Sequence, residues 1–187
     1  MRKKLLSLLS ILIIILTIAF LCYLRNYRIS DNKKQLEENI KAFINRPTVV
    51  VNNIDIKQEL NIDNKKYVMY IIDNGTLGEA ELTKGINNKY KIDSAGYGSG
   101  FFECEIYKTN KGKYLIIKGE NYHMQIASIK VPVDDKVYKF NIPQQKYFLV
   151  YCPVPDQTEI ILPDFNKIKI YDKNDIDITH EVLKALL

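Results

Sequence analysis

The chain opens on an unbroken apolar block. Residues 5–24 read LLSLLSILIIILTIAFLCYL, twenty positions without a charge, and as a helix rising about 1.5 Å per residue they span roughly the 30 Å hydrocarbon core of a bilayer. The pattern predicts a transmembrane helix in an anchor segment, residues 1–28, whose partner is membrane lipid through residues 5–24. The rhythm then changes to a helical one. Leu36, Ile40, Phe43 and Ile44 recur at i, i+4, i+7 and i+8, which predicts a short amphipathic helix within a juxtamembrane segment, residues 29–47. Ser30 or Asp31 can cap its start, Glu37 and Lys41 are spaced for an ion pair, and Pro47 bars its continuation.

From Thr48 the spacing becomes period two, rich in Val, Ile, Tyr and Phe and broken by turn residues every 8 to 12 positions. Strands are expected at 67–72, 77–82, 90–95, 101–108, 114–118, 126–131, 137–142, 146–152, 159–162 and 167–171, with a short helix within 177–187. Asp73-Asn74-Gly75 is a strong hairpin signal, and Lys84-Gly85, Asn110 to Gly112, Asp134-Asp135 and Asp172 to Asp175 mark other turns. The fold class expected is mainly β: an antiparallel meander over 48–112, then an Ig-like β-sandwich over 113–187. Asn110 to Gly112 reads equally well as one more hairpin turn inside a single sheet.

Charge changes the picture of partners. The formal charge is +5, yet Arg2, Lys3, Lys4, Arg25 and Arg28 all flank the apolar block, and from Asp31 onward 22 basic residues face 22 acids. A formally neutral domain lacks the counterion release that drives phosphate-backbone binding, so no nucleic acid is expected. Basic residues on the two sides of the block nearly tie. The very short N-terminus still resembles an uncleaved export signal and places the domain outside the cytoplasm, as a single-pass protein of the cell membrane. A cleavable signal has a shorter apolar region ending in a small-x-small site, and Leu21 before Cys22 is not the small residue a lipoprotein signal wants. Tyr23 and Tyr27 fit the aromatic belt at the outer interface. Cys104 and Cys152 share strand faces with large apolar residues and read as core thiols, with a disulfide between them as the alternative.

The stretch KYVMYIIDNGTLGEAELTKGINNKYKIDSAGYG, with KYFLVYCP and IKIYDKNDIDIT later, resembles uncharacterised single-pass, membrane-anchored extracytoplasmic proteins of low-GC Gram-positive bacteria. The resemblance rests on the aromatic-rich strand, the small-residue hairpin, the KG-N-KYKI run and the closing YDKN turn. It implies a location and carries no site residues.

Chemical motifs each have a plainer reading. Gly96 to Gly100 holds three glycines but no helix follows, so a bulge or wide turn is expected instead of a phosphate loop. Asp172, Asn174, Asp175 and Asp177 miss calcium-loop spacing at Ile176. His123 and His180 have no neighbours at zinc-ligand spacing. The reading therefore has no catalytic residues, no metal and no cofactor. Tyr97, Tyr107, Tyr122 and Tyr151 lie on outward strand positions and form the candidate binding face. The expected role is a non-enzymatic binding or interaction module of the cell envelope, recognising another envelope protein or wall polymer. A structural subunit of a membrane assembly is the alternative, followed by an envelope enzyme using loop carboxylates.

Overall fold

A computed structural model describes residues 2–45, 50–73, 75–98 and 102–185. Helix α1 (Arg2–Asn26) carries the apolar block, and its span Leu6–Asn26 is long and apolar enough to cross a membrane. Two of its hydroxyls are satisfied within the helix: Ser10 Oγ and Thr17 Oγ1 donate to the carbonyls of Leu6 and Ile13, one turn back. Helix α2 (Lys33–Ile44) follows after a six-residue link and buries Leu36, Ile40 and Ile44, leaving Phe43 exposed. Its N-cap is Asn32, whose side chain accepts from Gln35 N, one residue later than the sequence suggested. Glu37 does not pair with Lys41. It accepts from Ile56 N and approaches Lys33, while Lys41 reaches the Asn52 carbonyl. Pro47 lies outside the described residues.

The first sheet is an antiparallel meander in sequence order, β1 (Ile54–Ile62), β2 (Lys65–Ile72), β3 (Leu77–Lys84) and β4 (Tyr90–Tyr97). The β2–β3 hairpin turns at Gly75, φ +84°, beside Asp73. The Asp73 carboxylate is occupied by the amides of Asn52 and Asn53, each 2.6 Å away. One face of this sheet, with Val68, Tyr70, Ile72, Ala80, Leu82 and Tyr90, packs on α2. Gly78 is required there: a Cβ would fall 2.2 Å from the ring of buried Tyr70, its cross-strand partner, whose hydroxyl donates to the Gly96 carbonyl.

The remaining strands form two three-stranded antiparallel sheets. The middle sheet runs β5-β6-β9, with β5 (Phe102–Lys108), β6 (Lys113–Glu120) and β9 (Tyr147–Val154). The outer sheet runs β10-β7-β8, with β7 (Ser128–Val133), β8 (Lys136–Asn141) and β10 (Lys169–Tyr171). They enclose the largest apolar core, which includes Leu115, Ile117, Ile129, Val131, Phe140, Phe148 and Ile170. Helix α3 (Thr179–Ala185) closes it with Val182.

Three details differ from the sequence reading. Strand β5, assigned above to the meander, pairs with β6, so Asn110 to Gly112 is a hairpin turn within the middle sheet. Residues 159–162 form no strand among the described elements: Pro155 and Pro163 bracket them, and the tie to the sheet edge is Ile106 N to the Ile161 carbonyl. Strand β1 is absent from the sequence expectations although Ile54, Ile56, Leu60 and Ile62 keep period two; a bulge between Ile56 and Gln58 turns the first pair toward α2 and the second toward the middle sheet. The outer face of the middle sheet, with Tyr107, Tyr114, Ile116 and Leu149, packs on the second face of the first sheet through Leu60, Ile62 and Tyr67. The result is a stack of α2, first sheet, middle sheet and outer sheet.

Candidate functional site

The tyrosines proposed as one face lie on different layers. Tyr97 is on β4 opposite Gly78, on the side of the first sheet that faces α2, and is 38% exposed. Tyr107 points from the middle sheet into the seam between sheets, edge-on to Tyr67 at 4.9 Å between ring centroids. Tyr151 shares that face of the middle sheet, edge-on to Tyr114, and is 45% exposed. The Tyr122 side chain lies outside the described residues, though its backbone enters a tight turn with His123 and Met124, both at positive φ. Tyr107 and Tyr151 are thus brought onto one face, and Tyr97 is not.

The more informative constellation sits where α1 meets the first sheet. The β3–β4 hairpin, residues 85–89, clasps the last turn of α1. Ile86 N donates to Tyr23 Oη at 2.7 Å, and Asn87 Nδ2 donates to the Tyr27 carbonyl at 2.8 Å. Tyr23 and Tyr27 stack at 4.5 Å, and Gly85 fits beneath them. A Cβ on Gly85 would lie 2.5 Å from Tyr23 Oη and 2.7 Å from the Tyr27 ring, so any side chain there obliges the tyrosine pair or the hairpin to shift. Ile29 then exchanges both backbone hydrogen bonds with Tyr90, adding the link to the edge of β4.

A buried lysine locks the same junction. Lys66 on β2 is 2% exposed, and its Nζ lies 2.7 Å from Asp31 of the link and 2.6 Å from Glu59 of β1, 5.4 Å from the Tyr90 ring centroid. Tyr90 Oη donates to Asp31. Burial is the largest influence on Lys66 and lowers its pKa, but the hydrogen bonds and charges of Asp31 and Glu59 together outweigh it and hold it above the ordinary lysine value.

A second buried lysine sits in the seam between the first and middle sheets. Lys118 on β6 contacts Glu79 of β3, lies 2.8 Å from Glu103 of β5, and approaches Tyr107 Oη at 3.4 Å. Here burial prevails and brings its pKa down to about 7, while it raises that of Glu103, helped by Glu105. Tyr107 Oη donates to Glu79. The Tyr67 hydroxyl is buried in this seam without a hydrogen-bond partner among the described residues. The space left there is only about 10 Å³, too tight for a substrate.

The thiols and loop acids are committed elsewhere. Cys104 and Cys152 are free and face the core from β5 and β9, the two strands that flank β6. Two strand spacings are roughly 9.6 Å, beyond the reach of a disulfide. Burial pushes their pKa values up to about 12 and about 11, so both stay protonated at neutral pH. Asp172 accepts from Asn174 N and Ile176 N, and Asp177 caps α3 through Thr179. Their carboxylates are held below the usual range by these hydrogen bonds. No cluster of metal-ligating side chains is present among the described residues.

Neither Lys66 nor Lys118 was singled out from the sequence. A signal existed: Lys66 precedes Tyr67-Val-Met-Tyr70 and Lys118 follows Leu115-Ile-Ile117, runs apolar at successive positions and so buried on both faces, which puts an adjoining lysine in the interior. No protein-family model, no curated protein and no solved structure matches this chain.

Proposed function

We propose that this protein is a single-pass, membrane-anchored extracytoplasmic module that presents an Ig-like β-sandwich at a fixed height above the bilayer for binding another envelope protein or wall polymer. The observation that carries this reading is the clasp on α1. A signal peptide is discarded after export, and the folded domain would then lose its partners at Tyr23 and Tyr27 and the space into which Gly85 fits. A retained anchor keeps all of them. The facing middle and outer sheets support the sandwich reading, and the resemblance to Gram-positive envelope proteins agrees with the location. An interaction role is favoured over an enzymatic one because the thiols are partly buried and protonated and the loop carboxylates of Asp73, Asp172 and Asp177 bind backbone amides.

The experiment is cysteine labelling on intact cells with an impermeant thiol reagent, using Lys111→Cys in the exposed β5–β6 turn. Cys104 and Cys152, partly buried and protonated at neutral pH, contribute little background, and Cys22 lies within the apolar block. Labelling before lysis is expected; labelling that appears only after lysis overturns the topology.

One observation favours the alternative, a subunit of a larger membrane assembly. Ile161, Leu162 and Phe165 are 63%, 69% and 42% exposed along the edge of β5, beside Phe102. Such a patch suits a protein contact. Leu162→Asp combined with Phe165→Asp would then release a partner seen when the mild-detergent extract is run on a native gel; unchanged migration argues against that alternative.

A further inference from the structure

The end of α1, the second half of α2 and strand β4 enclose a pocket of about 420 Å³. Arg25, Asn26 and Arg28 line it from the anchor side, Asn39 and Phe43 from α2, and Ile92 from β4. The lysines around the first sheet are engaged: Lys33, Lys57, Lys65, Lys66 and Lys91 each meet a carboxylate. Arg25 and Arg28 are exposed and have no acidic partner among the described residues. Two uncompensated guanidinium groups therefore share one concave site.

Their height is fixed by the chain. Arg25 directly follows Leu24, the last residue of the apolar block, and Arg28 comes three residues later, just past the end of α1 at Asn26. The headgroup layer on each side of a bilayer is roughly 5–7 Å deep. Both arginines thus stand at headgroup level, whichever side the domain occupies. Arginine offers planar paired donors that match phosphate oxygens. Phe43, 47% exposed, supplies an apolar wall beside them. Basic residues on the translocated side work against the usual charge bias of membrane proteins, and a lipid-binding role gives these two a reason to be there.

We propose that this pocket binds the phosphate of a membrane phospholipid, with Arg25 and Arg28 holding phosphate oxygens and Phe43 lying along the glycerol and first methylenes. The proposal rests on the retained-anchor reading. It makes the domain's seating on the bilayer depend on a bound lipid as well as on the clasp.

The test is native mass spectrometry of the full chain released from detergent micelles with phosphatidylglycerol added. One lipid retained per chain is expected, with retention roughly tenfold weaker in Arg25→Gln/Arg28→Gln, the scale of one charge-assisted hydrogen bond. Lys84→Gln/Lys89→Gln removes the same charge from the exposed ends of the neighbouring hairpin and is expected to retain lipid as the parent does. Phe43→Ser, which leaves the charge intact, is expected to weaken retention several-fold. Equal loss in the two double variants would reduce the site to general basic attraction and overturn the proposal. So would unchanged retention in the arginine variant, or full displacement of lipid by millimolar inorganic phosphate, which would mark a plain anion site. Failure of the anchor reading is read separately: the chain would then be recovered in the soluble fraction without detergent.

Discussion

The junction between α1 and the first sheet and the seam between first and middle sheets each bury a lysine between two carboxylates, and the two lysines respond in opposite directions. Lys66 keeps its proton above the ordinary value, and Lys118 is brought down to about 7. Both are out of solvent contact, at 2% and 6% side-chain exposure. Their depth differs. Lys66 lies one layer beneath the half-exposed Asp31, near the edge of the stack, with two short ion pairs and an aromatic ring. Lys118 lies between two sheets, where desolvation acts from both faces. At Lys66 the hydrogen bonds and charges of Asp31 and Glu59 overcome the effect of burial, whereas at Lys118 burial alone sets the direction.

The comparison is broken most directly at Lys66. Lys66→Met leaves Asp31 and Glu59 facing one another without a cation and should lower stability by about 3 kcal/mol, the lower end for a broken buried pair because both carboxylates retain some access to water. Urea unfolding of the detergent-solubilised chain measures it, and a loss below 1 kcal/mol would make the junction an ordinary surface contact. Gly85→Val comes next. Its side chain collides with Tyr23 and Tyr27, so the hairpin must leave the helix, at a cost of about 2 kcal/mol and with new protease cleavage between Lys84 and Lys89.

Lys118→Met sharpens the other half. In the folded chain this lysine loses its proton near pH 7, and in the unfolded chain near 10.5. Between those values the unfolded chain binds more protons, so stability rises with pH across the window. Lys66 has the reverse sign: its contribution is complete below 10.5 and is lost as pH rises through its higher folded value. Urea midpoints from pH 7 to 10 should therefore climb less in Lys118→Met than in the parent, with a change at pH 7 within about 1 kcal/mol, since Glu79 and Glu103 reach solvent. Parallel profiles would remove the distinction between the two lysines. Tyr23→Phe, which deletes the acceptor of the Ile86 amide, carries the smallest effect, about 1 kcal/mol. A neutral result there with a large loss in Gly85→Val would assign the clasp to packing.

Much of the architecture was legible in the sequence because local chemistry and tertiary structure agree in it. The uncharged run of residues 5–24 forms one helix, Asp73 and Gly75 turn a hairpin, and alternation places Cys104 and Cys152 on an inward face. Where a long-range contact decides, the pattern misled. β-forming residues 159–162 stay outside the sheets between two prolines, and β5 chose β6 across a turn that fitted either arrangement. The site residues were harder to see. Gly85 reads as any turn glycine until Tyr23, 62 positions earlier, is found against it, and Lys66 reads as a surface charge until Asp31 closes over it. Tyr107 and Tyr151, both read as outward positions, share one side of the middle sheet. Alternation had no means of knowing that a second sheet covers part of that side.

The central claim is that α1 remains part of the folded protein, held by its own hairpin. Intact-mass measurement of the mature chain, recovered separately from membrane and soluble fractions, addresses it directly. The account predicts the full 21.8 kDa chain in carbonate-washed membranes. A soluble product beginning beyond Leu24 would contradict it.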